Sequence, residues 1–193
     1  FRSVLLIGVA IAAHVRPALL PWLFTAYVMW SPWHYTGQNF GLSMMFLRRA
    51  GIEVAPRERE LLHGAFIASY ALLLAAFNNG ISNDRVVLSL ALPDQIAWSI
   101  EVAGAIVFAG ASLLAFGSLA RRVPLSDLVP ALMLCSTQAL WFVVPVLAAR
   151  FSNLPAPQLS YSTGVLALMH SAQYLWITQH YTRRESMRRA GPA

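Results

Sequence analysis

Two histidines, each followed within about one turn by a glutamine, offer the most chemistry in this chain. His34 and Gln38 stand in Trp33-His34-Tyr35-Thr36-Gly37-Gln38, and His170 and Gln173 in Met169-His170-Ser171-Ala172-Gln173-Tyr174. Spacings of four and three residues put each pair on one helix face. Imidazole nitrogens ligate transition metals and haem iron. A metal-bound histidine donates its second N–H to an oxygen acceptor, and a glutamine one turn away can help orient it or a neighbouring polar ligand. Glu101 adds a carboxylate inside another apolar run, able to complete a metal site or to carry protons. The candidate site therefore has His34, His170 and Glu101 as metal ligands. His34, His170, Gln38 and Gln173 are its contacts to a cofactor, with a transition metal, a haem or a lipid-soluble substrate as the occupant. Redox or lipid-modifying chemistry would suit such a site, although these spacings name no reaction.

The elements that must position these residues are membrane helices. The chain is 58% hydrophobic and only 11% charged, against roughly a quarter charged in soluble domains. Several apolar runs approach the roughly 20 residues that cross a bilayer. The expected fold is all-α, a polytopic transmembrane helix bundle with about six or seven membrane segments in one domain over 1–193. The segments are read at about 3–13, 18–30, 34–47, 61–77, 95–120, 127–149 and 160–181. Arg16-Pro17 separates the first two, because arginine is costly at depth and proline breaks the helix ladder. Ser31-Pro32 is expected to turn the chain between the second and third. The sequence opens at Phe1 inside an apolar run, which reads as a helix lacking its natural start.

Net charge is +6, carried by 14 arginines and no lysine. The arginines come in short clusters between apolar segments, a distribution set by membrane topology, so no nucleic-acid partner is expected. Segment 48–59 holds four arginines, Arg121-Arg122 follows the fifth span, and the tail holds Arg183, Arg184, Arg188 and Arg189. The intervening loops, 78–94 and 150–158, hold one each. Alternation of rich and poor loops puts the rich ones, and the C-terminus, on the cytoplasmic side. The expected setting is a bacterial cytoplasmic membrane, with the lipid bilayer as first partner and other membrane subunits as further ones.

This topology places His34 near the outer surface, Gln38 one turn deeper, Glu101 six residues into the fifth segment, Gln138 in mid-span and His170 near the midplane. Other readings of the same residues remain open. Histidine and glutamine also hydrogen-bond across membrane helices as glue. The chain could be a non-catalytic accessory subunit of a larger complex, or part of a transporter whose polar residues line a path. His-Glu-x-x-His, di-iron histidine boxes and phosphate-binding glycine loops are absent. His14, His63 and His180 read as interfacial. Cys135, the single cysteine, reads as a small buried hydrophobe. Gly104, Gly110 and Gly117 mark the fifth segment for close helix approach.

Overall fold

A computed structural model describes residues 8, 14–80, 88–152 and 179. The chain divides into two units, Phe1–Pro155 and Ala156–Ala193. Of the second unit only Gln179, in a helix, is described. Segments 3–13 and 160–181, with His170 and Gln173, thus lie outside the described residues, apart from Gly8 and Gln179.

The described part of the first unit is built of helices and their connections. After a single 3-10 turn at Pro17–Leu19 come α1 (Leu20–Arg49), α2 (Pro56–Phe77), α3 (Asp94–Ala120) and α4 (Leu125–Gln138). A π-helical turn, Ala139–Val143, joins α4 to α5 (Val144–Ser152). Among the described residues there is no strand, only an isolated bridge between Asn79 and Leu92. Among the described residues, three helices are long and apolar enough to cross a membrane: Pro56–Phe77, Asp94–Ala120 and the continuous Leu125–Ser152.

The break expected at Arg16-Pro17 is present, since Arg16 is non-helical and Pro17 opens the 3-10 turn. The turn expected at Ser31-Pro32 is not. Segments 18–30 and 34–47 belong to one helix of 30 residues with Pro32 inside it. Pro32 has no N–H to offer the Val28 carbonyl, a local loss that a helix interior carries only with support from its surroundings. Val28, Ser31 and Pro32 are all buried in the bundle, so packing holds the helix through the defect. One consequence is that His34 sits at mid-helix, not at an outer end.

The helix ends follow local chemistry. At the end of α1, Gly51 adopts φ +74°, a left-handed conformation that costs other residues strain. Gly51 N–H donates to Arg48 O (3.1 Å) and Ile52 N–H to Leu47 O (3.0 Å), the paired bonds of a Schellman cap. Ile52 and Leu47 then pack together in the core. Pro56 opens α2, where its missing N–H costs nothing. Glu58 reaches back to accept the Ala55 N–H at 2.9 Å, as in a capping box. Asp94 and Asp127 stand in the first turns of α3 and α4, where a negative charge suits the helix dipole.

Helices α2 and α3 form the tightest pair. A Cβ added at Gly104 would lie 2.9 Å from the Ala68 carbonyl oxygen and 2.9 Å from Leu72 Cβ. This glycine lets the backbones meet, as small residues do in membrane bundles. Gly110 and Gly117 have no such neighbour within 4 Å. The core around this pair is built from Phe66, Leu62, Leu72, Phe108, Phe116, Leu119 and Leu128.

Candidate functional site

The most buried polar chemistry of the described bundle centres on Gln138, 1% exposed at the end of α4. Its Oε1 accepts from Asn39 Nδ2 at 2.8 Å. Its Nε2 donates to Thr36 Oγ1 at 3.0 Å and to Ser69 Oγ at 2.9 Å. One side chain thereby ties α4 to α1 and α2. Ser69 Oγ in turn donates to Phe66 O (2.6 Å), and Ser43 Oγ donates to Asn39 O (2.8 Å). The π turn begins at the next residue, with Val144 N–H reaching back five residues to Ala139 O. Pro145 explains the widened turn: it cannot donate, and its ring crowds the preceding turn. A side chain satisfied three times over rigidifies a core and leaves little for a ligand.

A second cluster joins α3 to the end of α5. Glu101, 1% exposed, accepts from Arg150 through both oxygens: Nε to Oε2 at 2.8 Å and Nη2 to Oε1 at 3.1 Å. The remaining guanidinium nitrogen bonds Asp94, which also accepts from Asn79 Nδ2 at 3.0 Å. Arg150 lies 5.5 Å from the Trp98 ring centroid, a cation–π contact. A bidentate arginine fork matches a carboxylate's geometry. Glu101 is therefore an ion-pair partner in this structure, with both oxygens engaged.

His34 lies on an exposed part of α1, stacked on Trp30 with ring centroids 5.1 Å apart. Gln38 is half-buried, and its Oε1 is a buried oxygen without a hydrogen-bond partner. Thr36, Asn39 and Ser43, not His34, form the stripe of α1 that enters the polar layer. Their spacing of three and four residues is a helix-face signal present in the sequence. It competes there with the equally regular His34/Gln38 stripe. His63, on an exposed part of α2, lies tilted against Phe40 with ring centroids 4.8 Å apart. Among the described residues, no group of three His, Cys, Asp or Glu side chains could hold a metal ion. The structure does not bring His34 and Glu101 together as ligands, and His170 and Gln173 lie outside the described residues.

The arginine-rich end of the bundle has its own polar tie. Glu58, buried at the start of α2, accepts from Ser118 Oγ of α3 (2.6 Å) and from Arg122 Nη2 (2.6 Å to Oε2). Cys135 is buried, with its thiol donating to Ser112 Oγ at 3.4 Å. At the opposite end, buried Asn78 caps α2 by donating to Leu74 O (2.8 Å). Its Oδ1 accepts from Leu90 N–H (2.9 Å), which fastens the following loop.

No family model, curated protein or solved structure matches the chain.

Proposed function

We propose that this chain is an accessory component of a larger membrane assembly, lying in a bacterial cytoplasmic membrane with its C-terminus inside. One observation carries this reading. The buried polar side chains that could do chemistry, Gln138 and Glu101, spend their hydrogen-bonding capacity on other parts of the same bundle. Trp22, Trp30 and Trp33, by contrast, stand out from α1 at 68%, 59% and 48% exposure. Tryptophan is enriched where proteins meet and as an anchor at such contacts. The occupant of this aromatic surface is a helix of another membrane subunit. Solubilisation in a mild detergent tests the proposal. The intact protein is expected to purify with a second polypeptide in fixed ratio, and the Trp22→Ala/Trp30→Ala variant without it. A wild-type protein that purifies alone and monodisperse refutes it.

Gln38 supports a second reading, a bound metal, haem or lipid-soluble molecule near His34. A buried oxygen without a donor is costly and invites a ligand that supplies one. His170 and Gln173 would belong to that site as the sequence pattern arranges them, while Glu101 is taken up by Arg150. Metal analysis and an optical spectrum of the gently solubilised protein decide it. Stoichiometric metal, or a haem band lost in His34→Ala, supports the reading. A colourless, metal-free protein removes its metal and haem forms.

A further inference from the structure

A groove of about 270 Å3 opens at the arginine-rich end of the bundle, between the start of α2 and the end of α3. Arg57, Glu58 and Leu61 line it from α2, and Leu113, Leu114, Gly117 and Ser118 from α3, with Arg121 at its C-cap. Their order along the helices is informative. On α3 the residues at 113, 117 and 121 follow at four-residue steps, so one stripe runs from leucine through glycine to arginine. On α2 the same step leads from Leu61 back to Arg57. Both stripes are basic at the helix ends and apolar further along, about one turn on α2 and about two on α3.

The charges are unbalanced. Glu58 is already neutralised by Arg122 and accepts a hydrogen bond from Ser118. Arg57 and Arg121 have neither an ion pair nor a hydrogen bond to any described residue, and both are exposed. Two uncompensated guanidinium groups thus flank a groove whose floor is held in place by an ion pair. Leu113 and Leu114, 73% and 63% exposed, continue it along the apolar flank of α3. A side chain at Gly117 would enter open space, since nothing lies within 4 Å of its Cβ position.

We propose that this groove holds an anionic phospholipid of the adjacent leaflet. Its phosphate would sit between Arg57 and Arg121, and one acyl chain along Leu61, Leu113 and Leu114. Three arguments converge on a lipid. Guanidinium forks match phosphate oxygens. The gradient from basic to apolar follows the phospholipid's own gradient from head to tail. The arginine clusters at this end mark it as the cytoplasmic side, where anionic lipid gathers and basic clefts between helices capture its head groups.

The test is native mass spectrometry of the full chain released from detergent, titrated with phosphatidylglycerol or with phosphatidylcholine of the same acyl composition. We expect phosphatidylglycerol to bind at least tenfold more tightly. The preference should fall about fivefold for each arginine removed in Arg57→Gln and Arg121→Gln. Gly117→Phe should abolish it, because its Cβ meets nothing within 4 Å and the new ring fills the groove; thermal unfolding checks that the variant keeps its fold. Arg48→Gln/Arg49→Gln, outside the groove, should keep it. Equal binding of the two lipids, or a preference indifferent to Arg57, Arg121 and Gly117, overturns the proposal. Displacement of phosphatidylglycerol by inorganic phosphate at comparable concentration would assign the groove to a soluble anion and overturn the lipid assignment.

Discussion

Replacing Gln138 by methionine keeps the volume of the side chain and removes its polar atoms, so it isolates what the buried amide holds together. Three interhelical hydrogen bonds disappear: one from Asn39, one to Thr36 and one to Ser69. Interhelical bonds in membrane proteins average about 0.6 kcal/mol each. Three give about 2 kcal/mol, roughly a thirtyfold shift in the unfolding equilibrium. The partners moderate the loss unequally. Ser69 keeps its own donation to Phe66 O, and Thr36 can turn its hydroxyl to a carbonyl of its own helix. Asn39 is left with an amide N–H in a half-buried place and accounts for most of the penalty. The assay is reversible unfolding in mixed micelles followed by tryptophan fluorescence, with Ser69→Ala and the double variant completing a cycle. The single effects should sum to more than the double, because Gln138 and Ser69 share a bond. A Gln138→Met protein as stable as wild type, or strictly additive effects, would refute the view that this side chain ties the helices.

Other outcomes follow from the same structure. Gly104→Ala should destabilise by about 1–3 kcal/mol, because its new methyl meets the Ala68 carbonyl at 2.9 Å. Gly110→Ala, with nothing within 4 Å, should stabilise by up to ~1 kcal/mol through helix propensity; thermal unfolding of both checks the opposite signs. Glu101→Gln leaves Arg150 without its buried carboxylate and should cost about 2–4 kcal/mol, at the lower end because Asp94 remains. Glu101→Leu combined with Arg150→Met should recover much of that loss, measured by the same unfolding assay. Gly51→Ala should cost roughly 1–2 kcal/mol, since φ +74° is strained for alanine.

Helix positions were largely legible in the sequence, and helix faces were not. The segments read at 61–77, 95–120 and 127–149 correspond to Pro56–Phe77, Asp94–Ala120 and Leu125–Ser152. Proline, glycine and arginine punctuate apolar runs strongly enough to place these ends within a few residues. Pro32 carried the same mark and misled, because burial of Val28 and Ser31 around it outweighed one missing hydrogen bond. The facing of α1 was hidden for a different reason. Both the His34/Gln38 and the Thr36/Asn39/Ser43 stripes carry polar residues at helical spacing, so either could have faced inward. Glu101 stood out as a carboxylate in an apolar run. Its partner Arg150 is 49 residues away, a distance at which no helical spacing rule applies. The π turn was equally unreadable, since a proline such as Pro145 can kink, end or widen a helix with the same local sequence.

The central claim is that the described interior is structural and that the outward aromatic surface of α1 meets another subunit. Site-specific photo-crosslinking in native membranes tests it most directly. A benzophenone amino acid would replace Trp30 on α1 and, as control, Ile106 on α3, which is 66% exposed and apolar. The account predicts one discrete adduct of fixed mass from position 30 and only lipid-sized additions from position 106. Lipid-sized additions from both positions would contradict it.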